Sequence, residues 1–287
     1  LPDPVSQWAG QLAAEFWQHP SSKMLLIGVT GTNGKTTITH LIEYLCQSVG
    51  KRTALFGTIV NRWPLYDEVA VQTTGFASTL QSQLAKAINA GAEIAAMEVS
   101  SHSIVQRRIA GCLFSGAIFT NLTQDHLDYH SSMETYFEAK ARLFESSFFR
   151  DEPVKSIINV DNEWGRVLAQ RLKENCWRSS TLCTDIKNGE PVELFFSDLI
   201  TTLDGVNGRI HTPLGEGNFV FPLIGAFNLM NFLQAVGVLI QLGLPLDELL
   251  AAVSQFKGVP GRMQRISLSE PESSFSLPAV FVDYAHT

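Results

Sequence analysis

The sequence predicts an α/β fold with a doubly wound, mainly parallel sheet, and two observations support this. Short apolar, β-branched runs alternate with longer segments of helical periodicity, which is the pattern of βαβ units. A glycine-rich turn separates the first such strand from the first such helix, as in a phosphate-binding loop. Because doubly wound sheets bind ligands at the carboxyl ends of their strands, the residues that follow each strand are the functional candidates.

Length and composition favour a globular protein with one large domain or two ordinary ones. The chain has 287 residues, of which 45% are apolar, and this is enough for a sizeable core. The net charge of −7 argues against nucleic acid as the main partner. The four cysteines lack zinc-ligand spacing, which favours reduced thiols and a cytoplasmic location. The most apolar segment, Phe227 to Leu244, carries four amide side chains and predicts a core helix rather than a membrane span.

The elements of the predicted sheet follow one another from the amino terminus. Residues 1–22 are interpreted as a linker with a helix from Val5 to Trp17, and residues 23–258 as the central domain. The predicted strands are Met24–Val29, Thr53–Thr58, Ile94–Val99, Gly116–Asn121, Ser156–Val160 and Ser180–Cys183. The predicted helices between them are Lys35–Val49, Ala77–Ala90, Ser103–Ile109, Glu134–Glu145 and Asn162–Glu174.

A different pattern begins at Val192. Short strands as far as Leu223 predict a small antiparallel meander. Helices are predicted at Ala226–Leu242 and Leu246–Phe256, and the glycine- and proline-rich residues 258–261 are interpreted as a hinge. Residues 259–287 are then the start of a further domain. Its predicted strands are Met263–Leu268 and Ala279–Val282, and the meander turns are expected at Asp204-Gly205, Asn207-Gly208 and Gly215-Glu216-Gly217.

A phosphate loop is predicted at Gly31-Thr32-Asn33-Gly34-Lys35-Thr36-Thr37. Glycines let backbone N–H groups approach an anion, and the N-terminus of the following helix adds positive potential. Lys35 is expected to reach the phosphates, and the Thr36 hydroxyl to ligate Mg²⁺. The loop is shorter than the usual pattern, whose first glycine would fall on Val29. An ordinary glycine turn is the alternative interpretation.

Polar side chains follow two further strands. Glu98 ends a buried strand, where a carboxylate needs a metal or a partner; the alternative is a salt bridge beside a serine helix cap. From Asp125 to His130, two carboxylates and two histidines form a candidate cation site or a polar loop, and spacing does not choose between the histidines. Lys140, judged on its helical pattern alone, is an exposed lysine.

The remaining candidates are polar groups near these strand ends. Thr73 and Thr74 precede a helix and suit either a cap or a second anion. Arg108 suits an anionic substrate or a surface ion pair. Asn228 and Asn231 lie at i and i+3 of an apolar helix and need partners, of which an adenine edge is one.

Taken together, these motifs resemble those of the Mur ligases. The segments Glu98–Arg108 and Asp125–Lys140 most resemble the members that add the third amino acid to the peptidoglycan precursor. The resemblance covers nearly the whole chain. The segments that carry it are Gly31–Thr37, Glu98–His102, Asn121–Asp128, Lys140, Asn228–Asn231, Gly261–Met263 and Asp283–Thr287.

The resemblance implies an ATP-dependent, ADP-forming amide ligase that works through an acyl phosphate. It would add diaminopimelate, or else lysine, to UDP-N-acetylmuramoyl-L-alanyl-D-glutamate. It also implies three domains, of which this chain would hold a linker, the central ATPase and the start of the third. Only small molecules are expected as partners, without nucleic acid or membrane, and the protein would be a cytoplasmic monomer. A folylpolyglutamate synthase-like ligase, a phosphate-loop kinase and a non-catalytic nucleotide-binding subunit stay open as alternatives.

Residue roles are implied in the same way. Thr36 and Glu98 would bind one Mg²⁺, and His126 with a carbamylated Lys140 would bind a second. Lys35, His126 and Lys140 would be the catalytic residues. Gly75 stands where the family often has a proline, a local departure from its pattern. The implied ATP-binding residues are Gly31 to Thr37, Asn228, Asn231, Arg262 and Asp283, and the implied substrate-binding residues are Thr73, Thr74, Ser100, Gln106 and Arg108.

Overall fold

One mixed sheet organises the computed structural model, which describes residues 6–150, 154–182, 186–187, 190–202, 204–266 and 280–284. Within that part of the chain the sheet has eight strands. They are β1 (Leu25–Thr30), β2 (Thr53–Phe56), β3 (Val60–Trp63), β4 (Tyr66–Val69), β5 (Ile94–Glu98), β6 (Gly116–Phe119), β7 (Ser156–Asn159) and β8 (Cys176–Ser179).

The spatial order of these strands is β4-β3-β2-β5-β1-β6-β7-β8. Neighbours from β2 to β8 run parallel, whereas β3 and β4 form an antiparallel hairpin at one edge. The predicted mainly parallel, doubly wound sheet is therefore confirmed. The edge hairpin had no predicted element, because its polar residues lack the apolar run of a buried strand.

Helices cover both faces of the sheet. They are α1 (Ser6–Phe16), α2 (Lys35–Ser48), α3 (Ala77–Asn89), α4 (Ser101–Val105), α5 (Met133–Ala141), α6 (Glu163–Leu172), α7 (Ala226–Gln241) and α8 (Leu246–Val253). Short 3-10 helices occupy Pro20–Lys23, Arg142–Phe144, Ser146–Phe148 and Lys173–Asn175.

The alternation of side chains along β1 divides the core in two. Ile27 and Val29 join the apolar cluster beneath α2, α7 and α8, whereas Leu26 joins the cluster beneath α3, α5 and α6. The predicted core helix is confirmed as α7, whose side chains from Asn228 to Ile240 are buried. None of the helices in the described ranges is both long and apolar enough to cross a bilayer.

The smaller strands lie in three further sheets. The meander is confirmed, since β12 pairs antiparallel with both β11 and β13. The pair β14–β15 confirms the two late strands, whose predicted outer ends lie beyond the described residues. The division into domains and the hinge at 258–261 stay predictions. The bounds are β9 (Ile186–Lys187), β10 (Glu190–Pro191), β11 (Phe195–Thr202), β12 (Gly205–Thr212), β13 (Gly215–Phe221), β14 (Gln264–Ile266) and β15 (Val280–Val282).

Two meander turns were predicted wrongly. Asn207 and Gly208 lie inside β12, where a Cβ on Gly208 would stand 2.7 Å from Leu199 Cδ2, so this glycine serves close packing. Gly215 already pairs with Thr212 as the first residue of β13. The connection between these strands is therefore residues 213–214, slightly earlier than predicted.

The strand predicted at Ser180–Cys183 is also wrong, since β8 occupies Cys176–Ser179. The Asp161 carboxylate accepts hydrogen bonds from the Ser180 hydroxyl at 2.6 Å and from the Thr181 N–H at 2.8 Å. These contacts hold the two residues in a turn at the end of the strand. Cys183 lies outside the described residues.

Helix α4 begins two residues before its predicted start and ends four residues before its predicted end at Ile109. The Ser100 hydroxyl accepts from the Ser103 N–H at 3.1 Å and sets the start. Arg107 has a φ of 55°, which is incompatible with continued right-handed helix. The short helix therefore places Gln106 and Arg108 in the following turn.

Candidate nucleotide-binding site

The phosphate loop joins β1 to α2 and is braced by the residues after β6. The Asn33 N–H donates to Asn121 Oδ1 at 3.0 Å, and the Thr120 hydroxyl donates to the Asn33 carbonyl at 2.6 Å. Gly31 has a φ of 147°, and a Cβ there would lie 1.8 Å from Thr120 Oγ1. A glycine at position 31 is thus required for the two loops to meet.

A cavity of about 590 Å³ opens beside this loop at the carboxyl ends of the strands. Predicted residues that line it are Thr32, Asn33, Gly34, Lys35, Thr36, Thr37, Thr73, Glu98, His126, Asn228, Asn231, Arg262 and Asp283. It is also lined by Thr58, Thr120, Asn121, Asp125, Asn159, Phe227, Met230, Met263 and Tyr284. Of this second set, six residues lie within or beside motifs recognised in the sequence: Thr120, Asn121, Asp125, Met230, Met263 and Tyr284. Sequence reasoning did not single out Thr58, Asn159 or Phe227, although Thr58 and Asn159 could have been sought at the ends of β2 and β7.

Lys35 folds over the phosphate loop. Its Nζ donates to the carbonyl oxygens of Gly31 at 2.9 Å and Thr32 at 2.7 Å. Burial lowers the pKa of Lys35, and the nearby Glu98 carboxylate opposes that shift. These contacts hold the amine at the N-terminus of α2, where the helix dipole also favours an anion.

Glu98 is fully buried at the end of β5, and its carboxylate accepts three hydrogen bonds. The donors are the Thr36 hydroxyl at 3.1 Å, the Thr58 N–H at 2.8 Å and the Thr58 hydroxyl at 3.0 Å. No ion pair of Glu98 occurs in the described part of the chain, which argues against the salt-bridge alternative. The predicted serine cap, in contrast, is present at Ser100.

The oxygen atoms of Thr36 and Glu98 suit a hard divalent cation. No group of three or more histidine, cysteine, aspartate or glutamate side chains that could hold a metal was found in the ranges described. Mg²⁺ typically binds one or two protein oxygens and completes its shell with phosphate oxygens and water. The donor set at this site therefore fits a nucleotide-associated Mg²⁺ better than a self-contained metal cage.

Lys140 is buried, so its interpretation as an exposed helix lysine is wrong. Its residue surface is 1% exposed, and Nζ donates to the Gly31 carbonyl at 2.8 Å. The amine also lies 4.6 Å from the centre of the Tyr136 ring. Burial lowers the pKa of Lys140 well below its usual value, and the positive charge of Lys35 lowers it further.

The two histidines of the candidate cation site lie in different environments. His126 is exposed, has a φ of 53° and lines the cavity, with Nε2 3.4 Å from Asp125 Oδ2. His130 is buried, with Nε2 2.9 Å from Ser101 Oγ and its ring stacked on Tyr136. Of the two, His126 is the histidine available to a ligand in the cavity.

The predicted substrate residues divide into two sets. Thr73 lines the cavity, whereas Thr74, Ser100, Gln106 and Arg108 are not among its lining residues and are joined to one another by hydrogen bonds. Arg108 donates from Nη1 to Gln72 Oε1 at 2.7 Å and to the Thr74 carbonyl at 2.9 Å, and its Nε and Nη2 donate to Gln106 Oε1. Thr74 donates to the Glu98 carbonyl at 2.8 Å and accepts from the Ser100 N–H at 3.1 Å. No acidic partner of Arg108 was found among the residues described, which argues against the surface ion pair.

The motifs late in the chain also line the cavity. Asn228 donates to the Ile224 carbonyl at 2.9 Å, whereas Asn231 lies so close to the phosphate loop that a Cβ on Gly34 would stand 2.5 Å from its Oδ1. Asp283 Oδ1 accepts from the Met263 N–H at 3.1 Å. Together with Arg262, these residues bring α7 and the β14–β15 pair to the phosphate loop.

A glycine loop between a parallel strand and a helix, with lysine and threonine at the helix start, defines a phosphate-loop nucleotide-binding site. The family model described as the Mur ligase middle domain matches residues 29–239. The chain therefore belongs to the Mur ligase family.

Individual relatives agree with this assignment. A protein of Prochlorococcus marinus (strain MIT 9313), named UDP-N-acetylmuramoyl-L-alanyl-D-glutamate--2,6-diaminopimelate ligase, is 58% identical over 100% of this chain and 56% of its own length. A solved structure of a ligase with the same name has a TM-score of 0.80 at 33% identity and is matched over 94% of this chain and 54% of its own. Mycobacterium tuberculosis folylpolyglutamate synthase has a TM-score of 0.71 at 16% identity, with 97% of this chain and 67% of its own covered; this shows a common fold alone. The chain spans about half the length of the curated relatives it matches.

Proposed function

We propose that the chain is the nucleotide-binding part of an ATP-dependent ligase that joins 2,6-diaminopimelate to UDP-N-acetylmuramoyl-L-alanyl-D-glutamate. The observation that carries this proposal is the cavity in which Lys35, Thr36 and Glu98 meet beneath the phosphate loop. The names of the relatives support the choice of substrates. L-Lysine in place of diaminopimelate is the other amino acid considered from the sequence.

The residues suit the chemistry of amide formation. A carboxylate becomes an acyl donor when its oxygen attacks the γ-phosphorus of ATP and ADP leaves; the amine then attacks the acyl carbon and phosphate leaves. Two anions must approach each other in the first step, so positive charge at the phosphates is required. Lys35 would supply part of it, and Mg²⁺ held by Thr36 and Glu98 would supply more. Arg108 would orient the anionic acyl substrate.

Three finer assignments belong to the same proposal. Buried Lys140 would be carbamylated by CO₂ and, with His126, serve a second Mg²⁺; its lowered pKa provides the neutral amine that this addition needs. Asn228, Asn231, Arg262 and Asp283 would contact ATP. The protein would work as a cytoplasmic monomer on small molecules, with no nucleic acid or membrane partner.

The alternatives have less support. A folylpolyglutamate synthase-like activity rests on a 16% identical fold neighbour, whereas the ligase named for diaminopimelate is 58% identical. Neither of these two relatives is named as a kinase or as a regulatory subunit, so those alternatives gain no support from them.

The test has two parts. Calorimetric titration of the 287-residue chain with ATP and MgCl₂ should show saturable binding, which Lys35→Ala weakens about a hundredfold through loss of a charge-assisted contact. The chain is then exchanged for the matching segment of the Prochlorococcus marinus relative. This chimera should form amide with diaminopimelate and release one ADP per product. Undetectable ATP binding, or a chimera that folds and binds ATP but ligates only a different substrate pair, would contradict the proposal.

A further inference from the structure

The ion pair between Glu43 and Arg62 lies outside the cavity, yet it joins the two elements that hold Glu98. Arg62 donates from Nε to Glu43 Oε1 at 2.6 Å and from Nη2 to Glu43 Oε2 at 2.5 Å. Both carboxylate oxygens are engaged, in the two-pronged geometry that fixes direction as well as charge. The Glu43 side chain is 6% exposed and that of Arg62 is 39% exposed.

Glu43 belongs to the helix that begins at the phosphate loop. It follows Thr36 by about two turns of α2 and therefore lies on the same face of that helix. Thr36 is the residue whose hydroxyl donates to Glu98 Oε2. Any change in the position or tilt of α2 relative to the sheet therefore moves one donor of the Glu98 carboxylate.

Arg62 belongs to the β2–β3 hairpin, whose connection carries the other residue that donates hydrogen bonds to Glu98. It lies on β3, which pairs with β2 at Leu55–Arg62 and Phe56–Asn61 near the edge of the sheet. The connection between these strands contains Thr58, which donates to Glu98 from both its N–H and its hydroxyl. The Arg62 guanidinium thus ties the Thr58 connection to α2.

We propose that Glu43 and Arg62 are a positioning pair for the divalent cation that accompanies ATP. The pair locks the β2–β3 hairpin against α2, and this lock orients the Glu98 carboxylate between Thr36 and Thr58. Ligand oxygens must be held within about 0.5 Å of their productive positions to bind a metal well. A loosened hairpin should therefore lower the affinity for the divalent cation and leave the phosphate contacts of Lys35 unchanged. The inference rests on the proposed function.

A merely structural role makes a different prediction. An ion pair with one partially exposed partner contributes little to stability, and replacement of a buried pair by apolar side chains is often neutral. Loss of a structural contact would lower the melting temperature without changing how ATP binding depends on Mg²⁺. The two roles are therefore separable by a metal titration.

The experiment measures ATP binding by the 287-residue chain at a series of MgCl₂ concentrations and in EDTA. Glu43→Met combined with Arg62→Met should raise the Mg²⁺ concentration at half-maximal effect about tenfold, as loss of a ligand-orienting contact usually does. ATP affinity in EDTA should stay at the wild-type value. Arg62→Lys keeps the charge but not the fork, and should give a smaller shift in the same direction.

The control replaces the exposed pair Arg209–Glu216 on β12 and β13 by two methionines, which should leave the Mg²⁺ dependence unchanged. If the double methionine variant at 43 and 62 does not fold, Arg62→Lys decides alone. A wild-type Mg²⁺ dependence in the folded variants overturns the positioning role and leaves the proposed function standing. If ATP binding by the wild-type chain does not depend on Mg²⁺, the metal assignment is overturned, and this inference with it.

Discussion

Lys35 and Lys140 donate to the same oxygen atom, the carbonyl of Gly31, at 2.9 and 2.8 Å. One lysine starts the helix after the phosphate loop and the other lies on α5, 105 positions further along the chain. Burial is the largest cause of the lowered pKa of both amines, and the positive charge of Lys35 lowers the pKa of Lys140 further. The Gly31 carbonyl thus brings together Lys35, the proposed phosphate-binding lysine, and Lys140, the proposed carbamate.

Replacement of Lys140 by methionine should flatten the pH dependence of stability. The folded pKa of Lys140 is lowered, so between that pKa and the usual 10.5 the unfolded chain binds more protons and wild-type stability rises with pH. Lys140→Met fills the space without a titrating group and should remove this rise. Urea unfolding at pH 7 to 10 measures it, with Lys86→Met on the surface of α3 as the control. Equal slopes for wild type and Lys140→Met would contradict the prediction.

Gly34→Ala should weaken ATP binding, an effect that the positive φ of Gly34 alone does not explain. Gly34 and Gly50 have similar positive φ values of 89° and 77°, where alanine costs about 1–2 kcal/mol. A Cβ at Gly50 meets nothing within 4 Å, but at Gly34 it would stand 2.5 Å from Asn231 Oδ1. We therefore expect Gly34→Ala, unlike Gly50→Ala, to weaken ATP binding about tenfold or more by displacing the loop from α7. Calorimetry and urea unfolding of both variants make the comparison, and equal ATP affinities would refute it.

His40→Gln should stabilise the protein at acidic pH. Burial lowers the pKa of His40 to about 4, while Nδ1 lies 2.9 Å from the Thr36 carbonyl. Between the unfolded pKa near 6.5 and the folded value, the unfolded state binds the extra proton, so stability is lost as the pH falls through that window. The total effect is on the order of 3 kcal/mol. Unfolding free energies at pH 7, 5.5 and 4.5 should diverge between wild type and variant, with His19→Gln as control; parallel curves would be inconsistent with a buried neutral imidazole.

Arg108→Lys should weaken binding of the acyl substrate without changing binding of the nucleotide. Lysine keeps the charge but cannot hold Gln72, Gln106 and the Thr74 carbonyl at once as the planar guanidinium does. In the chimera with the Prochlorococcus marinus relative, affinity for UDP-N-acetylmuramoyl-L-alanyl-D-glutamate should fall about tenfold or more. Affinity for ATP should not change. The neighbouring, exposed Arg107→Lys is the matched control, and an unaltered substrate affinity in Arg108→Lys would remove this residue from the proposed substrate site.

The sequence by itself determined the order of strands and helices and the position of the phosphate loop. These features are local: an apolar run, a glycine turn and a helical repeat are each read within a few neighbouring residues. For the same reason Glu98 could be singled out, because a carboxylate at the end of a buried strand needs a partner wherever that partner comes from. The donors themselves, Thr36 and Thr58, come from two other elements, and sequence reasoning identified only the first.

The tertiary structure alone decided which distant groups meet and which surfaces are buried. Lys140 has the sequence context of an exposed helix residue, and only the packing of α5 against the phosphate loop brings its amine to Gly31. Contacts with residues far away in the chain likewise decided three other features. These are the formation of the β3–β4 edge hairpin, the position of β8 before the predicted strand, and the place of Gly208 inside β12. Local propensities are weak compared with the burial and hydrogen bonding that tertiary contacts provide, so such features are decided when the elements pack.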